Sequence, residues 1–225
     1  MLSQTVRAEF LEGVYSSEVE NSASALLRLI RDYGQERSYA PRDVIYPEGK
    51  HPDGFYYVQS GLVGLGKLAL NGKQSLLRIY SKHCFFGYRS LLGQDDYYAS
   101  TVALKSCQLL YFPFKSIAEL QEKVPEVFRY FTIFLSSELK EAEIRIFRAS
   151  SMKMKHRVID SLIYLNKNHC NYSWTYREIG EFCGGETATV IRICNQLKTA
   201  GALKKESRHW KIVDEKKLRE LREQY

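Results

Sequence analysis

The sequence predicts an α+β fold in which an antiparallel β domain is followed by a long helix and a small C-terminal helical module. Three observations predict it. Between Arg37 and Phe114, short β-branched and aromatic runs alternate with Pro, Gly and Asn turn residues. From Pro125 onward, apolar residues recur at three- and four-residue spacing for about 25 residues without a helix breaker. Over 175–197, a capping box, a Gly-Gly pair and a second apolar stripe mark two short helices joined by a tight turn. With 225 residues and 44% apolar content, the chain has material for a real core and for two domains.

The elements follow in order. A helix is expected from about Ser22 to Tyr33, after which the period changes. Pro41-Arg42-Asp43, Pro47-Glu48-Gly49 and Pro52-Asp53-Gly54 are turns. Phe55-Tyr56-Tyr57-Val58 reads as a strand, Ser60-Gly61 as a turn, and Leu62 to Leu70 as a second strand. Asn71-Gly72 is a hairpin signal that Ser75 to Tyr80 answers. Thr101 to Leu104 and Cys107 to Phe112 form a last pair, and so many short strands indicate an antiparallel sandwich or barrel. Gly61 to Leu68 nearly spells a phosphate-binding P-loop, but its last position is Leu68, not a hydroxyl, and a strand follows where that loop needs a helix.

Pro125 suits the first position of a helix. Beyond it Phe128, Phe131, Leu135, Leu139, Ala142 and Ile146 form a heptad-like seam between charged residues. That seam can pack on the chain's own β domain or pair with its twin. In the second case the chain is a homodimer, with Phe131, Leu135, Leu139, Ala142 and Ile146 in the interface.

In the C-terminal module Thr175 and Glu178 form the capping box, and Ile179 and Phe182 give the first helix its buried stripe. Gly184-Gly185 allows positive φ. Val190, Ile193 and Leu197 lie on one face of the second helix, leaving Thr187, Ala188, Ile191, Arg192 and Asn195 outward. This is the pattern of a helix-turn-helix whose second helix enters the DNA major groove; an αα-corner in an enzyme core would share it. Charge separates the two. From Met152 on there are fifteen Lys and Arg against nine Asp and Glu, whereas residues 1–151 hold eighteen against seventeen. Nearly all of the net +7 thus lies beside the motif, the footprint of phosphate-backbone binding.

No paired His–carboxylate motif, nucleophile elbow or metal spacing supports an enzyme. The five cysteines are odd in number and nowhere spaced C-x-x-C, so reduced thiols are expected. Met1 to Arg7 lacks the apolar region of a signal peptide, and no apolar run approaches membrane-spanning length. No membrane partner is expected, and the cytoplasm is the expected compartment.

Taken together, the chain resembles the Crp-Fnr superfamily of bacterial transcription regulators over roughly residues 22–213. Asp43-Val44-Ile45 through Gly49, and Phe55 through Gly61, look like that family's cyclic-nucleotide-type β-roll. Phe86-Gly87 with Leu91-Leu92 is similar to its ligand-cassette loop, and Val124-Pro125-Glu126 to the start of its dimerisation helix. Arg157-Val158-Ile159, Glu178-Ile179-Gly180 and Leu203 to Val213 resemble the start, helix-turn-helix and wing of its DNA-binding domain. The resemblance implies a β-roll sensor domain at 1–121, a dimerisation helix at 122–151 and a winged helix-turn-helix at 152–225. It also implies double-stranded DNA, a second copy of the chain and RNA polymerase as partners.

The departures from the family pattern bear on the effector. Members that bind cyclic AMP hold its ribose with a Glu just after the cassette glycine, and its phosphate with an Arg-Ser pair about ten residues on. Tyr88 and Tyr98-Ala99 stand there in this chain, with Arg89 one residue along. Ala142 and Glu143 occupy the positions that meet adenine. The expected effector pocket is therefore Gly87, Tyr88, Arg89, Tyr98, Ala99, Ala142 and Glu143, and two tyrosines supply neither a carboxylate nor a fixed cation. Cyclic AMP is not the expected effector. No cofactor is expected, although a haem-sensing member would use His83 or a cysteine such as Cys84. By the same resemblance Arg192 keeps a base-reading position, suited to bidentate contact with guanine. Thr187 and Ala188 replace the common Arg and Glu, and Ile191 and Asn195 complete the reading face. Thr175, Tyr176, Arg177, Lys204, Lys205, Arg208 and His209 are the expected phosphate contacts. A small-molecule sensor with a non-functional helix-turn-helix is the alternative, and Arg192 with the basic C-terminal third argues against it.

Overall fold

The alternation of the N-terminal half becomes sheet, with two exceptions that glycine and strand length explain. The computed structural model describes residues 26, 28–206 and 209–223. A helix α1 over 28–33 leads into β1 (Gln35–Tyr39), β2 (Val44–Tyr46), β3 (Phe55–Leu68), β4 (Gln74–Tyr80), β5 (Phe85–Phe86) and β6 (Ser100–Phe112), with a short α2 (Tyr88–Gly93) after β5. The part of the expected 22–33 helix before Leu26, and Leu27, lie outside the described residues. The six strands form one sheet in the order β1-β6-β3-β4, with β2 also paired to β6 and β5 to β3.

Ser60-Gly61 is not a turn. β3 runs straight through it, and the ladder to β6 shifts register between Val58 and Ser60, Ser60 and Leu62, and Leu62 and Val63. Gly61 absorbs the bulge at φ 98°, where a Cβ would lie 2.4 Å from the Ser106 carbonyl oxygen. Likewise Thr101–Leu104 and Cys107–Phe112 are one strand, because β6 is long enough to pair with β1, β2 and β3 at once. Asn71-Gly72 forms the expected hairpin tip, with Gly72 at φ 78°.

The core of the roll is aromatic. Phe55 stacks on Phe112 at 4.9 Å and meets Phe131 edge-on at 5.3 Å, and Leu29 of α1 is fully buried beside them. Phe131 comes from the long helix α4 (Val127–Ser151), which follows α3 (Ile117–Lys123). With 1% exposure it is a core residue of the roll, so its place in a dimer seam is corrected: its ring is already stacked on Tyr88 at 4.5 Å. Leu135 is half-buried against the same core. Farther along, the apolar face emerges, with Leu139 61%, Ile146 68% and Phe147 59% exposed.

The remaining elements are α5 (Met154–Asn168), α6 (Tyr176–Cys183), α7 (Thr187–Thr199), the hairpin of β7 (Leu203–Glu206) with β8 (His209–Ile212), and α8 (Glu215–Glu223). The chain divides into two compact units. One holds Arg78–Lys140 with the described residues up to Lys67. The other holds the hairpin tip Leu68–Leu77 with the described residues from Glu141 on. Among the described residues no helix is long and apolar enough to cross a membrane.

Candidate functional site

The capping box is formed as read. Thr175 Oγ1 accepts from the Glu178 N–H at 3.2 Å, while Glu178 accepts from the Thr175 N–H at 2.8 Å. Helix α6 ends at Gly184, whose φ of 71° closes the left-handed cap. Gly185 has ordinary φ; a Cβ there would lie 2.8 Å from the Met154 sulfur, so it is space, not dihedral freedom, that this position requires. Gly180 is needed for the same reason, since its Cβ would lie 2.8 Å from the Gly185 carbonyl oxygen. These three glycines let α7 start within van der Waals contact of α6.

Helix α7 buries Val190, Ile193, Cys194 and Leu197. Thr187, Ala188, Ile191, Arg192 and Asn195 form its exposed face, which Gln196 and Thr199 extend into a shallow concavity. Arg192 makes no hydrogen bond or ion pair among the described residues. The cations offered as phosphate contacts differ in availability. Lys204 and Lys205 are exposed on β7. Arg177 is held by Glu181 at 2.7 Å, a carboxylate with which any phosphate would compete. The Thr175 hydroxyl is engaged in its cap, Tyr176 and His209 are half-buried, and Arg208 lies outside the described residues.

A second site lies in the roll, a cavity of about 20 Å³, room for one water. Gly87, Tyr88, Arg89, Tyr98 and Ala99, five of the residues expected in an effector pocket, are among those that line it. Ala142 and Glu143 do not, and the helix contributes Glu138 instead, one turn earlier. Glu138 makes a contact there that the sequence reading missed. Arg78 of β4 donates to the Glu138 backbone carbonyl at 2.9 Å, with its guanidinium 3.6 Å from the Glu138 carboxylate. A signal for it existed: Arg78 lies between the buried Leu76 and Tyr80 on one face of a strand. A fixed cation is therefore present in the cavity, contrary to the reading from Tyr88 and Tyr98 alone, but it faces an internal anion.

Burial pushes the Glu138 carboxyl above its usual range, outweighing Arg78, Arg89 and the Tyr88 hydroxyl, which pull the other way. The aromatic lining closes the rest. Tyr46 and Tyr97 stack at 3.6 Å, and the Lys67 ammonium sits 3.9 Å over the Tyr98 ring while donating to the Tyr98 carbonyl at 2.7 Å. Burial keeps the phenols of Tyr46, Tyr80, Tyr88 and Tyr97 neutral. His83 Nδ1 lies 2.7 Å from the Tyr57 hydroxyl, and burial pushes the neighbouring Cys84 thiol up, keeping it protonated.

Residues 36–123 match the family model of the cyclic nucleotide-binding domain, and residues 156–221 that of the Crp-like helix-turn-helix domain. The cyclic AMP receptor protein of Thermus thermophilus is 26% identical over 178 residues, covering 78% of this chain and 82% of that protein. A solved transcriptional regulator of the CRP/FNR family from the same organism aligns with a TM-score of 0.70 and 26% identity, over 84% of this chain and 98% of that one. The c-di-GMP responsive global regulator CLP of Xanthomonas campestris shares the fold, with a TM-score of 0.75 at 17% identity, over 84% and 98% of the two chains.

Proposed function

The chain belongs to the Crp-Fnr superfamily of transcription regulators, and from that premise we propose that it is a cytoplasmic, homodimeric, sequence-specific DNA-binding regulator, not an enzyme, whose effector is not cyclic AMP. Arg192, on the exposed face of α7 and without an acceptor among the described residues, carries this reading. An unpaired guanidinium on the outer face of a second helix suits bidentate recognition of guanine. Ile191, 39% exposed, suits contact with a thymine methyl group. The sensor with a non-functional helix-turn-helix has no use for such a face.

Pairing through α4 is supported by its exposed seam. Leu139 and Ile146 stand seven residues apart, half-buried Leu135 and Ala142 continue the same stripe at three- and four-residue spacing, and Phe147 widens it. Two such stripes packed together place two reading heads on a two-fold site.

The effector reading rests on the cavity. A cyclic nucleotide needs a few hundred Å³ and a cation for its phosphate. The cavity holds about 20 Å³, and its Arg78 already faces Glu138. Selection of bound duplexes from a random library tests the DNA reading: a shared two-fold sequence is expected, and recovery of unrelated sequences rejects it. Calorimetry with cyclic AMP and cyclic GMP tests the effector reading. No heat is expected at micromolar nucleotide, and a low-micromolar dissociation constant rejects it.

A further inference from the structure

The C-terminal end of α6 is held in an unusual way. Three successive carbonyls there each accept from a different cation, and each cation comes from a different element. Arg145 of α4 donates to the Phe182 carbonyl at 3.0 Å. Arg157 of α5 donates to that of Cys183, and Lys73 of the β3–β4 hairpin to that of Gly184 at 3.4 Å. A helix C-terminus leaves such carbonyls without intrahelical partners and carries partial negative charge, so three cations complement it.

Two of these cations do more than cap. Arg145 also donates to the hairpin carbonyls of Leu76, at 3.0 Å, and Leu77, and its guanidinium lies 4.7 Å from the Phe182 ring centroid. One half-buried side chain therefore ties hairpin backbone to the end of α6. Lys73 pairs with Glu186 at 3.1 Å, and Glu186 is the N-cap residue of α7, one position before the reading face begins. The hairpin tip Leu68–Leu77 accordingly belongs to the same compact unit as α5 to α8.

We propose that the β3–β4 hairpin is a working part of the DNA-reading head, with Arg145 as its joint. The hairpin fixes the turn between α6 and α7 and so sets the direction in which α7 presents Arg192. Arg145 is a positioning residue, acting through the Phe182 carbonyl and not on DNA. Lys73 is the weaker half of the device, because its pair is largely exposed. The proposal rests on the reading of α7 as the base-reading helix.

The test perturbs the hairpin where it touches nothing else. Gly72 has φ 78° and no atom within 4 Å of a built Cβ, so Gly72→Val strains the tip alone. Gly72→Val and Arg145→Gln are compared with wild type as full chains. The probes are a duplex selected by wild type from a random library and a scrambled duplex. We expect Arg145→Gln to lower affinity for the selected duplex at least tenfold and Gly72→Val three- to tenfold, with the scrambled duplex unchanged for both. Equal losses on both duplexes, unchanged binding by both variants, or tighter binding by either variant would overturn the proposal. A readout free of DNA runs alongside: amide exchange at Gly184 to Ala188 should rise about tenfold in Gly72→Val, with α5 unchanged. Should wild type select no sequence, the reading of α7 fails, and exchange alone decides: acceleration at the turn keeps the hairpin linkage, and wild-type exchange there removes it.

Discussion

Arg78 and Arg192 are the same side chain in opposite circumstances. Arg78 lies inside the roll, donating to the Glu138 carbonyl and facing its carboxylate, in a cavity with room for one water. Arg192 stands on the open face of α7 with no acceptor of its own among the described residues. A guanidinium with an internal acceptor has its donors occupied, and a ligand must displace that acceptor before it gains anything. One without an acceptor is ready for the rigid fork geometry of a base edge. The difference teaches that a cation lining a cavity is not by that fact a ligand-binding group. What decides is whether the fold has already given it an anion.

The largest expected effect tests whether Arg192 works alone or in a pair. Leu139→Glu puts a carboxylate into the exposed seam of α4 without touching the core of the roll, where Leu135 is compromised by its contact with it. A carboxylate in a dry seam costs several kcal/mol, enough to give monomers at micromolar concentration. Sedimentation should show a dimer for wild type and a monomer for the variant, with operator affinity falling by more than a hundredfold. A wild type that sediments as a monomer breaks the idea of a paired reading head.

Next comes Arg192→Ala. Loss of a bidentate guanine contact should cost about 1–3 kcal/mol on the selected duplex and relax the preference at that base pair. The dimer and its thermal unfolding should not change. Equal weakening on a scrambled duplex would make Arg192 a phosphate contact, more like a wing lysine than a base reader.

The converse experiment takes the carboxylate away from Arg78. Glu138→Ala removes the internal carboxylate and enlarges the cavity, leaving Arg78 with only the backbone carbonyl of residue 138 as its acceptor. Calorimetry with inorganic phosphate should show no binding to wild type and weak binding to the variant, with a dissociation constant on the order of millimolar, as for a single charge-assisted site. A variant as inert as wild type would mean that the aromatic lining, and not Glu138, closes the cavity.

Much of this comparison was legible in the sequence. The outward residues of α7 followed from a 3.6-residue period and three buried aliphatics, since a helix fixes which side chains share a face. The hairpin at Asn71-Gly72 was legible for an equally local reason, its turn chemistry, whereas the wing was legible only through the family resemblance. What was not legible depends on partners distant in the chain. Ser60-Gly61 looks like a turn until Ser106 and Cys107 of β6 pass beside it. Phe131 looks like a seam residue until the roll supplies Tyr88 and Phe55 to cover it. Matching by family position aimed at Ala142 and Glu143, whereas the cavity holds Glu138, in contact with Arg78, 60 residues away. Capping of Phe182, Cys183 and Gly184 by three cations from three elements is likewise invisible to any local period.

The smallest effect sharpens the contrast between the units through acid. Glu138 in the roll and His169 after α5 are both ionisable groups whose charged form burial disfavours, but their signs are opposite. The Glu138 carboxyl is raised, by burial first, from an ordinary value of 4.5. The folded roll thus holds its proton more tightly than the unfolded chain does. Its contribution to stability is fully present below pH 4.5 and is lost as pH rises through the raised value. His169 is 9% exposed, lies edge-on to the rings of Tyr164 and Trp174, and has neither ring nitrogen hydrogen-bonded among the described residues. Burial lowers its imidazole from an ordinary 6.5. Its contribution is present above pH 6.5 and is lost as pH falls through the lowered value, about 1.4 kcal/mol for each unit of lowering. Denaturant unfolding should therefore show the head weakening between about pH 7 and its lowered value, with Trp174 fluorescence as the local probe. His169→Phe, which keeps an aromatic ring between Tyr164 and Trp174, should abolish that slope, and Glu138→Gln should leave it untouched while removing the roll's own dependence. A slope that survives His169→Phe would place the head's acid sensitivity elsewhere.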